Sequence, residues 1–304
     1  MDDDARPLLP LGAALVTVTL WASAFVGIRS AGRDLSPGAL SLCRLLVGSA
    51  VLGAIVLARR EPLPARRDLP GIALCGVLWF GLYNVVLNEA ERRVDAGTAA
   101  MLVNVGPIFI AVLAGVVLGE GFPRTLVAGC AIAFAGALTI GLATARDGVQ
   151  GGWGAVLCVV AALAYASAVV IQKPLLARTS ALQLTWLACT VGTIACLPFG
   201  PTLVGELGDA RGSAVAWALY LGALPTALAF TTWAYALART TAGRMGSTTY
   251  LVPPLAIVMG WAILGETPPA LAVAGGALCL AGVVVARRQL PRLRRRAPAA
   301  APAA

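Results

Sequence analysis

Charge is almost absent from ten stretches of this chain, and short polar segments separate them. The apolar runs cover residues 8–28, 36–58, 70–87, 97–118, 125–145, 153–171, 180–203, 215–237, 246–264 and 270–286. Each comes close to or exceeds the roughly 20 residues a helix needs to cross a ~30 Å hydrocarbon core. The connections are a few residues long, the pattern of an up-and-down bundle without an extramembrane domain. The expected fold class is therefore an all-α integral membrane protein of ten transmembrane helices.

The pattern also repeats. Val94–Thr139 lies in register on Thr240–Val285, 146 positions later. Ala96-Gly97 meets Ala242-Gly243, Pro107 meets Pro253, and Leu118-Gly119-Glu120 meets Leu264-Gly265-Glu266. Pro123 then meets Pro269, and Gly129 and Gly136 meet Gly275 and Gly282. Nearer the start of each half the offset is 144: Trp21-Ala22-Ser23-Ala24 aligns with Tyr165-Ala166-Ser167-Ala168, Arg29 with Lys173, and Val47-Gly48 with Val191-Gly192. A period of about half the chain marks a duplicated half, not a solenoid. Five helices per half is an odd number, so the second copy enters the membrane from the opposite side. Two inverted five-helix repeats, residues 8–145 and 150–288, follow, flanked by a short start (1–7) and a basic, then Ala/Pro-only tail (289–304). Inverted repeats are the architecture of secondary transporters, whose substrate sits near the midplane where the halves meet.

Composition agrees with lipid as the solvent. Of 304 residues 59% are hydrophobic and 12% charged, against roughly 25% charged in a soluble domain. The net charge of +9 is scattered in short clusters between apolar runs and forms no basic face, which argues against nucleic acid as a partner. With the N-terminus inside, sixteen Lys and Arg fall in inner segments and six in outer loops, so both termini are expected in the cytoplasm. Ala22-Ser23-Ala24 resembles a signal-peptidase site, but the leader Met1-Asp2-Asp3-Asp4 is acidic where a signal peptide is basic. All seven cysteines fall inside apolar runs and there is no histidine, so no metal site, cofactor or disulfide frame is expected.

Several residues stand out against this background. Pro107 and the pair Pro253-Pro254 lie mid-helix, where each proline strips a carbonyl four residues earlier of its partner. They are either kinks relieved by neighbouring helices or hinges of broken helices lining a cavity. Asn104 and Tyr250 are repeat equivalents, each three residues before a proline, and read as cavity-lining or as glue between helices. Trp79 and Tyr83 share a helix face at i, i+4. With Trp21 and Tyr165 they form a candidate aromatic box around an organic substrate, and Ser23 and Ser167 add hydroxyls to the same candidate lining. Trp153, Trp217 and Trp261 read better as interfacial anchors, while Asn84 and Asn88, on another face of the third helix, suit bonds across helices. Arg44 is the one charge well inside an apolar span, and its aligned position is Ala188. It can bind an anionic substrate, or pair with carbonyls or helix ends. Glu120 and Glu266 end their helices just before a proline that opens the next, and so read as caps of that next helix or as gates on opposite faces. Proton coupling has no midspan carboxylate to use; Glu89 lies near the outer end of its helix. Facilitated diffusion, exchange or weak coupling is expected.

Trp-Ala-Ser-Ala-Phe in the first helix, Arg44 in the second, and a mid-helix Pro with a terminal Leu-Gly-Glu in the fourth and ninth resemble the drug/metabolite transporter superfamily, in its EamA-type branch. The resemblance covers about residues 8 to 288. It implies an inner-membrane carrier that is not an enzyme, often an exporter of amino acids, other metabolites or toxic compounds, with a small molecule and membrane lipid as partners. A lipid flippase and, more remotely, an integral-membrane enzyme are the alternatives, and monomer and homodimer both stay open. The topology predicts that reporter fusions at residues 1 and 304 both read as cytoplasmic; opposite readings would break the inverted-repeat reading.

Overall fold

A computed structural model describes residues 8–91, 102–144, 152–264 and 269–288. Among them there is no strand. Nine helical runs are long and apolar enough to cross a membrane: α1 (Leu8–Ala31), α2 (Pro37–Arg59), α3 (Arg66–Ala90), α5 (Arg124–Ala143), α6 (Trp153–Leu175), α7 (Ala181–Asp209), α8 (Gly212–Ala238), α9 (Ala242–Ile263) and α10 (Ala270–Arg287). The tenth, α4 (Gly106–Val117), is shorter, and most of the residues before it lie outside those described. Local chemistry sets the boundaries. Pro37 opens α2 after Ser36, which is extended at φ −65°, ψ 157°, and Arg60 closes it in a left-handed conformation. Ser180 caps α7 by accepting from Gln183 N at 3.1 Å. That helix runs farther than the apolar pattern suggested. A 3₁₀ turn at Leu197–Phe199 carries it into Gly200–Asp209.

The two halves are interlocked. The closest packing pairs α5 with α10, α2 with α7, α1 with α8 and α9, α6 with α3 and α4, and α4 with the start of α9. Every one of these pairs joins the first half to the second. Along α5 and α10 the repeated glycines explain how. A Cβ at Gly136 would fall 2.6 Å from both Cys279 N and Gly275 O, and its repeat equivalent Gly282 would meet Ala133 N at 2.4 Å and Gly129 O at 2.6 Å. Gly129 and Gly275 approach Ala286 N and Gly136 O in the same way, at 2.3 and 2.7 Å. The same pairs recur with the halves exchanged, so the seam has local two-fold symmetry. Small residues let helix backbones touch, which is the main source of packing energy where lipid competes on equal apolar terms.

Paired glutamates fasten α2 to α7. Glu206, on the tail of α7, accepts from Ser36 N at 2.7 Å at the start of α2. Glu61, just past α2, accepts from the hydroxyl of Ser180 at the start of α7. The two serines are 144 positions apart, so this contact also repeats.

At the end of the bundle where the chain begins, a second device closes the structure. Gly119 (φ 67°) and Gly121 (φ 69°) take the left-handed conformation that only glycine adopts without strain. They end α4 and turn the Glu120 amide back onto Ala114 O at 3.2 Å. The Glu120 carboxylate then reaches the first amides of α9, Ala242 N at 2.7 Å and Gly243 N at 3.1 Å. Glu120 is a helix cap, but of α9, not of the α5 that follows it in sequence. The following proline signalled the wrong helix because the partner comes from the other half. Lys173 Nζ serves the opposite charge on the same loop, donating to Leu237 O at 2.7 Å and Thr240 O at 2.6 Å. An anion on a helix start and a cation on a helix end both oppose the local dipole. At the far end Arg29, the repeat equivalent of Lys173, lines a cleft of about 500 Å³ with Arg33, Asp34, Pro37, Leu40 and Asn88, among others.

Two outcomes follow. Gly136→Val forces a branched side chain into backbone and should lower melting temperature and membrane yield by the equivalent of about 1–3 kcal/mol, whereas Gly205→Ala, with nothing within 4 Å of its Cβ, should leave both unchanged. Glu120→Ala strips the cap from two amides, a loss on the order of 1 kcal/mol; hydrogen exchange at Ala242 and Gly243 should speed up several-fold, and unchanged rates would mean the carboxylate holds nothing.

Candidate functional site

Two helices are interrupted at matching places. In the fourth span the chain turns at Asn104 and Val105 after a helical start at 102–103 and resumes as α4 at Gly106, with Pro107 in its first turn. In α9 a 3₁₀ turn at Thr249–Leu251 separates Ala242–Thr248 from Val252–Leu264, and Pro253 and Pro254 open the second segment. The prolines begin helices; they do not bend them. The interruptions fall 146 positions apart, like the sequence motifs, and face each other's halves. Gly106 leaves room for the Tyr165 ring, whose Cδ1 would lie 2.9 Å from a Cβ there.

Two further helices carry wide turns that sequence reasoning missed. Gly76–Leu82 in α3 and Gly222–Leu228 in α8 are π-helical, again 146 apart. An extra residue in a turn re-aims side chains and frees carbonyls, and such turns recur at functional sites. Here Asn84 answers one of them, its Nδ2 donating to Phe80 O at 2.8 Å and Trp79 O at 3.2 Å. Asn84 therefore serves its own helix and not a neighbour. Asn88 does cross, to Ser41 Oγ at 2.7 Å and Pro37 O at 3.1 Å on α2. Gly76 and Pro225 were the only sequence hints of the wide turns.

These turns gather aromatic rings at the junction of the halves. Trp79 lies 5.2 Å from Tyr165 and 6.1 Å from Trp21, centroid to centroid, and Tyr83 lies 6.0 Å from Tyr165. All four rings of the expected box come together. Phe80 joins them, 6.4 Å from Trp79, and two rings from the second half complete the cluster: Trp233, 5.1 Å from Trp21 and 5.6 Å from Trp79, and Phe230, 4.9 Å from Trp79. Both sit on α8, the repeat counterpart of the helix bearing Trp79 and Tyr83, but their aligned positions are Leu87 and Asn84, so the repeat does not reveal them. The rings pack on one another and form no open cage; Trp79 is 2% exposed and Trp233 0%. Within this apolar mass the indole N–H groups of Trp21 and Trp233 are buried without a hydrogen-bond partner. Such donors are costly in a medium without water and suit an oxygen-bearing ligand.

Other candidates lie elsewhere. Ser23 donates to Leu20 O and pairs with Tyr220 Oη at 2.6 Å, on the side of α1 away from Trp21. Positions two apart in a helix do not share a face, and Ser167 stands in the same relation to Tyr165. Tyr250 is fully buried with the Cys130, Ala133, Ile140 and Cys279 side chains of the α5–α10 seam, outside the aromatic cluster. Asn104 is half-buried at the break in the fourth span. Among the described residues Arg44 pairs with no carbonyl, and it does not reach the surface. It is 8% exposed, and its Nε donates to Thr226 Oγ1 at 3.1 Å in the wide turn of α8. Trp217 is not a lipid-facing anchor, since it packs on α1 over Gly27; Trp153 and Trp261 are exposed. Glu266 lies outside the described residues.

Comparison with known proteins agrees with this architecture. The model of the EamA-like transporter family matches twice, over residues 8–142 and 152–288. A probable terminal-alkyne amino-acid exporter of Streptantibioticus cattleyicolor is 40% identical over 94% of this chain and 95% of the relative. The uncharacterized transporter YdfC of Bacillus subtilis is 34% identical over 88% of this chain and 87% of its own length. At 26% identity the uncharacterized inner membrane transporter YedA of Escherichia coli covers 86% of this chain and 85% of its own. One crystal structure superposes with a TM-score of 0.75 at 19% identity, over 90% of this chain and 95% of that one, a likeness of fold. With ten apolar helices, two matching halves and transporter relatives along nearly its full length, the chain belongs to the EamA-like transporter family and is a multi-pass membrane transporter of the drug/metabolite type.

Proposed function

We propose that this protein exports small amino acids with apolar side chains across the cytoplasmic membrane, by alternating access between two inverted halves, with both termini in the cytoplasm. The observation that carries the reading is the coincidence, at one level of the bundle, of two broken helices and a buried aromatic cluster holding unpartnered indole donors. Broken helices supply places where the backbone can change direction without melting a whole span. Aromatic rings suit an apolar side chain and, by cation–π attraction, an ammonium group. Both ends carry features a two-state cycle can use: Glu120 and Lys173 tie the loop between α8 and α9 at the end that bears the N-terminus, and the opposite end carries a cleft lined by Arg29 among others. The named activity of the exporter from Streptantibioticus cattleyicolor points the same way.

A lipid carrier is the second reading. One observation favours it, a cleft of about 360 Å³ at the side of the bundle lined by Ser23, Val26, Trp217, Tyr220 and Ile263, among others.

Flux decides between them. Proteoliposomes loaded with L-propargylglycine or L-norvaline should release it several-fold faster than protein-free vesicles and should not equilibrate a fluorescent phospholipid between leaflets. Lipid equilibration without amino-acid release would reverse the assignment. Trp233→Phe keeps a ring and deletes the orphan donor, whose burial costs about 1–3 kcal/mol. Melting temperature should hold or rise while transport falls about fivefold or more. A variant that loses stability and transport together would mark Trp233 as packing only.

A further inference from the structure

From the cation inside α2 we infer a carboxylate-binding site, in which Arg44 receives the carboxyl group of the transported amino acid; this rests on the amino-acid reading above. Arg44 is the eighth residue of α2, on the order of 10 Å along the axis from its start, and more than nine-tenths buried. Among the described residues its one hydrogen bond is to the neutral hydroxyl of Thr226, and the ionisable side chains that act on it are a tyrosine and a cysteine, Tyr83 and Cys189, not carboxylates. A guanidinium carries five N–H donors in a planar fork. With Nε taken, the two terminal nitrogens present the edge that matches a carboxylate through two parallel bonds.

The repeat shows that the fold does not require this charge. Its equivalent is Ala188, and the equivalent of Thr226 is Phe80. The backbones around the two places are alike. A Cβ at Gly222 would lie 2.7 Å from Arg44 O, and one at Gly76 would lie 2.5 Å from Ala188 O. Gly48 faces Thr226 as Gly192 faces Phe80, at 2.8 and 2.3 Å. In the second copy the space is apolar and closed, with Phe80 1% exposed and its ring 4.5 Å from Phe230. One copy therefore shows that alanine and phenylalanine complete this junction, while the other holds a cation and a hydroxyl in their place. A buried cation without an anion is among the costliest features a membrane protein can carry, and packing gives it no purpose here. Tyr83 connects it to the aromatic cluster, since its ring lies 6.0 Å from that of Tyr165. A carboxylate on Arg44 thus leaves the ammonium and side chain of an amino acid facing the rings.

The test uses the purified full-length chain in lipid nanodiscs, with L-norvaline, L-norvalinamide and sodium valerate as probes. Norvaline and valerate should raise the melting temperature and norvalinamide should bind about tenfold more weakly, the size of one lost charge-assisted pair. Arg44→Gln should abolish the preference for the acid, and Arg44→Lys should restore part of it, because an ammonium offers charge without the fork. Equal stabilisation by acid and amide, no stabilisation by either acid, or a preference that survives in a well-folded Arg44→Gln protein overturns the site. Should that variant fail to fold, Thr226→Val frees Nε and shifts the fork, and an acid preference left unchanged by it is equally fatal. Flux separates this inference from the transport reading. Acid and amide released alike leave the exporter standing and remove Arg44 from its site. Acid-specific stabilisation that Arg44→Gln abolishes, with no flux of any probe, leaves the site standing and removes the exporter.

Discussion

In hydrocarbon, a backbone N–H or C=O that leaves its helical partner has no water to turn to, and an unpaired group there costs several kcal/mol. Several departures from regular helix among the described residues are accompanied by a group that meets that demand. The wide turn of α3 frees carbonyls, and the Asn84 amide takes up two of them. The start of α9 finds the Glu120 carboxylate and the end of α8 finds the Lys173 ammonium. Glu206 answers the start of α2 in the same way by accepting from Ser36 N, while Glu61 accepts from the Ser180 hydroxyl at the start of α7. Carriers need irregular backbone because regular helices cannot change shape locally, and at these places the irregularity comes with polar compensation.

The duplication acts as an internal control. Two copies of one unit meet around a local two-fold axis, and the glycine contacts of α5 with α10, the serine–glutamate contacts of α2 with α7, and the wide turns of α3 and α8 all occur twice. What occurs twice is architecture. Among the described residues, the features that occur once are the rings of Trp79, Phe230 and Trp233 and the Arg44–Thr226 pair. That asymmetric set lies where the halves meet, the place a carrier needs for recognising a solute.

Much of this was legible beforehand. Ten apolar runs and the in-register Pro and Leu-Gly-Glu motifs were enough to place the helices, the repeat, the interrupted fourth and ninth spans, and the joining of Trp21, Trp79, Tyr83 and Tyr165. The reasons for the misses are physical. A π turn adds one residue to a helix and leaves almost no compositional trace, so the re-aiming of α3 and α8 was invisible. Glu120 was assigned to the next helix in sequence because a cap donated across more than a hundred residues has no local signature. Ser23 and Ser167 were grouped with their aromatic neighbours although a two-residue step turns a side chain to the other face. Tyr250 followed its alignment with Asn104, yet its ring fills the α5–α10 seam, since matched backbone positions need not share a side-chain environment.

The interlocking of the halves bears on how the protein is made. At synthesis rates of about 5–20 residues per second, α5 enters the membrane on the order of ten seconds before its partner α10, the last described helix, has been translated. Throughout that interval its glycine face meets lipid or the insertion machinery instead of the backbone it is shaped to touch. A nascent chain halted before residue 270 therefore has every helix of its first half and lacks the partner that α5 packs against.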